Sequence, residues 1–361
     1  MPQPELSIIV PLLNEAAGLA NLFATIDGQS QVRIELILCD GGSTDGTVEE
    51  ARRLIETAPF PVRLASSPAG RGRQMNAGAA ESRAETLLFL HADSALKAPL
   101  ALRAAMDALV SAEASAGHHR FAGHFRLRFR RQQEMNSAAW YYYEWKARLH
   151  RPGCTHGDQG LLLRRKFFGE IGTFREDLPF MEDEHLAERI GATGQWLLLP
   201  DELETSARRF ETEGLRERQT MNAIMMNLAA IGEQDLLGRI PGLYRNGHRG
   251  GRLRLHPLLQ GISAHIHGLP AALRSRFWSR TGSYVRGNAW QLAFALDARR
   301  NHRRGVPVGE GETPALDFYD RHLDRLTDNR AGIGAATLLT RLWFSLSILH
   351  ARFREKAATG K

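Results

Sequence analysis

The chain has 361 residues, 43% hydrophobic and 24% charged, which excludes disorder along its length and allows one large α/β domain with an addition, or two domains. The formal charge of +7 is uneven: residues 247–361 carry 19 Lys+Arg and 8 Asp+Glu, a net of +11, against −4 for residues 1–246. Two cysteines, Cys39 and Cys154, imply no disulfide framework.

The opening Met-Pro-Gln-Pro-Glu runs straight into a short apolar stretch, unlike a signal peptide, so the cytoplasm is the expected compartment. Residues 6–12, 34–39 and 87–91 are apolar runs rich in branched residues and read as buried parallel strands. Helices are expected over 15–27 and 45–57, the second with Ser43, Thr44 and Asp45 as cap candidates. This alternation predicts a doubly wound, mostly parallel sheet in the N-terminal half. Ligands bind such sheets beyond the C-terminal strand ends. There the sequence places Asn14-Glu15, Asp40-Gly41-Gly42-Ser43 and Ala92-Asp93-Ser94.

Asp40 to Gly46 reads either as a tight βα turn or as a carboxylate that meets a base or ribose. Gly70 to Gly78 sets Arg71 and Arg73 among glycines before a helix, which suits phosphate oxygens but matches neither a P-loop nor GxGxxG. Asp93 could hold a divalent cation that bridges phosphates, or cap a helix. The aromatic run 140–146 suits core packing better than sugar stacking. Glu182, Asp183 and Glu184 follow apolar Leu178-Pro179-Phe180; neighbouring carboxylates can raise one pKa toward that of a general base, and acids also favour a helix N-terminus.

Beyond residue 250 the strand pattern ends and the chain reads as helical or irregular. Residues 331–349 hold one charge, Arg341, and approach the length of a membrane span. Thr337, Arg341 and Ser345 recur every four residues opposite Leu338, Leu342, Leu346 and Leu349, which suits an amphipathic helix better than a span. Arg352, Arg354 and Lys356 follow, as beside an anionic surface. The segment reads either as peripheral on the inner face of the membrane or as packed on protein. His265 and His267 lack further ligands and read as surface histidines.

Four stretches taken in order resemble the family 2 glycosyltransferases of the GT-A superfamily: Ile8 to Glu15, Cys39 to Thr47, Phe89 to Asp93, and Met181 to Asp183. Gly70 to Gly78, His156 to Gly160 and Thr205 to Phe210 resemble the bacterial subgroup called radical-SAM/selenodomain-associated transferase 2. The resemblance covers residues 5–245 and implies a GT-A domain over 1–246, with a basic, mainly helical extension over 247–361. It further implies a nucleotide-sugar donor, a UDP-sugar first among them, an acceptor left open, and Mg²⁺ or Mn²⁺. Pro11, Glu15 and Asp40 would line the nucleoside pocket, and Arg71 and Arg73 the pyrophosphate. Asp93 would bind the metal and Asp183 would be the base. Asp158, Gln159 and Glu182 would lie on the acceptor side. His91 stands where the family's DxD motif has its first acid, which puts ribose binding and metal preference in question. Nucleic acid is not an expected partner. The alternatives are a sugar-nucleotide-forming nucleotidyltransferase and a non-catalytic membrane- or polyanion-binding protein with a degenerate transferase domain.

Overall fold

Leu6, Ile8, Val10 and Leu12 of β1 (Leu6–Leu12) enter one hydrophobic core and Ile9 the other, all fully buried. β2 (Ile34–Asp40) divides in the same way, with Leu36 and Leu38 in the first core and Ile37 and Cys39 in the second. Period-2 alternation between two apolar faces is what a sheet buried on both sides requires.

These strands belong to a seven-stranded sheet in a computed structural model that describes residues 3–132, 137–178, 180–249 and 251–359. The other strands are β3 (Val62–Ser66), β4 (Thr86–Phe89), β5 (Phe121–Arg130), β6 (Leu161–Arg164) and β7 (Gln195–Ser206). Their order is β3-β2-β1-β4-β6-β5-β7, with β6 alone antiparallel to its neighbours. Helices α1 (Ala16–Asp27), α2 (Thr47–Thr57) and α4 (Ala101–Ala116) cover the first face. Helices α3 (Arg71–Glu81), α6 (Arg165–Glu170) and α7 (Glu182–Thr193) cover the second. α5 (Ala138–Lys146) packs on β5. Its Trp140, Tyr141 and Trp145 are buried, Trp140 with its ring centroid 4.9 Å from that of Phe129, so the aromatic run is core.

The chain divides into two compact units, Met1–Ser206 and Ala207–Lys361. The division falls before the expected 246/247 boundary, because the sheet ends with β7 and the helices that follow pack among themselves. The second unit comprises α8 (Arg208–Glu213), α9 (Leu215–Ile231), α10 (Gln234–Gly247), α11 (Leu255–Gly268), α12 (Ala271–Gly287), α13 (Trp290–Arg303), α14 (Pro314–Phe318), α15 (Asp324–Thr327) and α16 (Arg330–Thr359). One short strand pair, His248–Arg249 with Arg252–Leu253, reaches past residue 250, where no strand was expected. His267 bonds through Nδ1 to the Ser263 carbonyl within its own helix.

Candidate active site

β1 and β2 end side by side, Leu12 opposite Asp40, and their loops are cross-linked. Asn14, at a φ of 58° that asparagine tolerates better than most residues, donates its N–H to Ser43 Oγ (2.9 Å) and accepts from the Thr44 N–H at Oδ1 (2.9 Å). The Glu15 N–H reaches Thr47 Oγ1 at 2.8 Å. Ser43 thus joins two loops, while Asp45, one residue before the cap position Gly46, accepts both the Ala16 N–H (3.3 Å) and the Thr47 N–H that opens α2 (3.1 Å). Asp40 is buried and accepts from the Gly42 N–H (2.9 Å) and the Ser43 N–H (3.2 Å), so its carboxylate holds its own turn. Pro11 is half-buried and pairs with Cys39, the residue before Asp40, and Glu15 is half-buried three residues beyond Leu12, the partner of Asp40.

The Gly/Arg segment forms α3 itself, with Arg71 as its first residue. Gly78 lets the helix lie directly on the sheet: a Cβ there would stand 2.5 Å from Ile9 Cγ2 and 2.7 Å from Cys39 Sγ. Arg71 and Arg73 stay exposed. Gln74, one turn on, is buried and donates Nε2 to the Leu12 carbonyl (2.6 Å) and the Cys39 carbonyl (2.7 Å), tying together the ends of β1 and β2. Nothing in its sequence position announced this role. Gln74→Ala is expected to cost about 2 kcal/mol, from two buried hydrogen bonds and a small cavity; the urea midpoint of unfolding measures it.

The remaining predicted residues lie beyond β4. The strand stops at Phe89, two residues short of the expected end, and His91 to Ser94 form a turn closed by the Ser94 N–H on the His91 carbonyl (3.1 Å). Ala95 then pairs with Glu204 of β7 and fixes that turn on the sheet. The turn carries His91 and Asp93. A short 3₁₀ segment, Gly157–Gln159, and the first turn of α7 approach it. The Gly157 N–H donates to Asp183 Oδ2 at 2.8 Å. A small cavity is bounded by Arg71, His91, His156, Gly157 and Asp183. Gln159 is fully buried, bonding the Ala147 carbonyl (2.6 Å) and His124 Nδ1 (3.1 Å) through Nε2 and the His156 N–H (2.7 Å) through Oε1. It therefore supports the segment from behind, and Asp158 is the neighbour that faces the acids. Pro179 and the side chain of Lys356 lie outside the described residues.

The acids differ in their electrostatic settings. Burial works to raise Asp183, but Arg71, the Gly157 N–H, His156 and His91 outweigh it and hold the carboxyl below the ordinary carboxylate range. Glu182, 3.4 Å from Arg71 Nη1, is raised by burial and by Asp183. Burial, Asp183 and Asp93 push Asp158 up to about 6, against the pull of His156. Asp158 Oδ1 is buried with no hydrogen-bond partner among the described residues. His156 is raised: burial opposes its cation, but Glu184, bonded to Nδ1, prevails. Among the described residues no group of three or more His, Cys, Asp or Glu is arranged to hold a metal.

Four strands in the order 3-2-1-4, covered on both faces and carrying polar loops at their C-terminal ends, define a nucleotide-binding class of α/β fold. Residues 7–172, just under half of the chain, match the family model described as Glycosyl transferase family 2. The match reaches the family and not the narrower subgroup. An uncharacterized glycosyltransferase of Nostoc sp. is 31% identical over 94 residues, 26% of this chain and 29% of the relative. The succinoglycan biosynthesis protein ExoA of Rhizobium meliloti is 25% identical over 209 residues, 54% of this chain and 60% of the relative. The chain thus spans 29% and 60% of the length of these two curated relatives, less than two thirds of either. Among solved structures, the mannosyltransferase PcManGT from Pyrobaculum calidifontis, in complex with GDP-Man and Mn²⁺, aligns at 18% identity and a TM-score of 0.47 over 95% of this chain and 88% of that one. Residues 1–349 of S. aureus TarS, in complex with UDP, align at 14% and 0.45 over 88% and 91%.

Proposed function

We propose that the protein is an inverting glycosyltransferase that moves a sugar from a nucleoside-diphosphate donor, a UDP-sugar first among candidates, to an acceptor nucleophile. The observation that carries this reading is Asp183: a half-buried carboxylate held below the ordinary range, at the helix end that meets Arg71, His91 and Gly157 beyond the strand ends.

In this reading the nucleoside lies over the cross-linked loops of Pro11, Glu15 and Asp40, and the diphosphate meets Arg71 and Arg73 at the N-terminus of α3. Asp183 accepts the acceptor's proton as the acceptor oxygen attacks the anomeric carbon. The bond from that carbon to the diphosphate oxygen breaks on the opposite face, and the configuration inverts. Glu182 keeps Arg71 beside Asp183 through their ion pair. A metal fits the donors at hand: Asp93 and the unpartnered Asp158 Oδ1 are hard oxygen ligands of the kind Mg²⁺ and Mn²⁺ prefer, with phosphate oxygens completing the shell. Bound there, it would supply positive charge to the leaving diphosphate.

Calorimetric titration with UDP, GDP and ADP, with and without Mn²⁺, tests the reading. One nucleotide is expected to bind in a Mn²⁺-dependent manner and to lose that dependence in Asp93→Ala. Absence of binding by all three would overturn it.

A further inference from the structure

α16 packs through its less apolar side. Thr337 Oγ1 approaches the Trp278 carbonyl of α12 at 3.5 Å, and the buried Phe344 sets its ring centroid 5.7 Å from that of Trp278. The opposite side carries Leu338, Leu342, Trp343, Leu346, Leu349 and Phe353, each between 46% and 68% exposed. Arg330 to Glu355 is long and apolar enough to cross a membrane by length and composition, and only 6% of its most apolar window is buried. A stripe of this size on a water-facing helix marks an interaction surface.

The edge of the stripe is basic. Arg330, Arg341 and Arg352 are spaced eleven residues apart, about three helical turns, so they line one side of α16 next to Leu338 and Leu349. The same edge borders a groove of about 610 Å³ between α12 and α16, lined by Arg274, Ser275, Trp278, Ser279, Arg330 and Arg341. The Arg341 guanidinium stands 5.8 Å from the Trp278 ring centroid. Among the groove residues the ionisable groups are all guanidiniums, with hydroxyls between them, a set suited to phosphate diesters.

Charge chooses among occupants. A second copy would bring the same arginines against this edge, in a segment already at a net +11. A spanning helix would take Arg341 toward the bilayer centre and strip α12 from one side of α16. A surface of anionic lipid satisfies both the apolar stripe and its basic border.

We propose that residues 207–361 dock on an anionic phospholipid surface, with α16 in the plane of the interface, its leucine face among acyl chains and the α12/α16 groove on lipid phosphates. The proposal does not rest on the glycosyl-transfer reading.

Flotation of the full-length protein with vesicles tests it, comparing phosphatidylcholine alone with a two-to-one mixture of phosphatidylcholine and phosphatidylglycerol. Binding is expected to the mixed vesicles, to weaken with added salt, and to be reversed by alkaline carbonate washing. The triple variant Arg330→Ala/Arg341→Ala/Arg352→Ala should lose about a hundredfold in vesicle affinity, and Leu342→Glu/Leu346→Glu a comparable amount. Both sets of sites are solvent-facing, and circular dichroism checks that the variants fold. No preference for the anionic vesicles would overturn the proposal. So would carbonate-resistant retention, which marks a spanning helix, or a dimer in light scattering that Leu342→Glu/Leu346→Glu turns into a monomer without any vesicle binding.

Discussion

Asp183→Asn is expected to lower the rate of sugar transfer by roughly 10²–10⁴-fold while nucleotide affinity stays nearly unchanged. Asparagine keeps the shape and can still accept from the Gly157 N–H through its amide oxygen, but it cannot take up a proton. The wild-type carboxyl is held below the ordinary range by Arg71, the Gly157 N–H, His156 and His91, which together overcome its burial. Its sign follows: a depressed carboxylate is ionised above its pKa and fails as a base only as pH falls through that value, so it is competent throughout the neutral range. Rate and affinity are separable by single-turnover transfer and calorimetry on the same preparation. Equal losses in both would instead make Asp183 a binding residue, and the proposed base would have to be sought elsewhere.

The partners of Asp183 mark where sequence reading reached and where it stopped. β1 and β2 were legible because both of their faces are buried, which leaves unbroken apolar runs. β3 was missed: it is an edge strand, half-buried, with Arg63 interrupting it. β5 did carry a signal, since Phe125, Leu127 and Phe129 alternate with Arg126, Arg128 and Arg130. β7 hides behind Pro200 and its acids. The acids at 182–184 were legible as a helix start, and the structure has all three in the first turn of α7. That Asp183 and not Glu182 would be the depressed member depends on a backbone N–H from position 157 and on the charge of a guanidinium at position 71, neighbours no local pattern encodes. Gln159 shows another limit of local pattern: it stands beside Asp158 in the sequence, but its amide is buried on the Ala147 carbonyl and His124, contacts that lie 12 and 35 residues away. On α16 the leucine periodicity was visible in the sequence, but that the leucines point outward and Thr337 inward required the packing of α12.

Gly157 gives a test of whether position, and not merely chemistry, matters at Asp183. A Cβ at residue 157 would lie 2.9 Å from Asp183 Oδ2 and 3.3 Å from His91 Nε2, closer than ordinary contact. Gly157→Ala must therefore push the carboxylate aside by a few tenths of an ångström and misalign its bond from the residue 157 N–H. Misplacement on this scale at a reacting group is expected to lower transfer by roughly 10–100-fold, with a stability loss of only about 1 kcal/mol, because the crowded atoms border a cavity and not the packed core. The thermal midpoint and the transfer rate of the same variant separate the two effects. Combining the changes sharpens the inference. If the alanine acts through Asp183, then adding Gly157→Ala to Asp183→Asn should cost little further rate, because the group it displaces no longer takes the proton. If the two losses multiply instead, the 3₁₀ segment serves transfer by a route independent of Asp183, with His91 the next residue to vary.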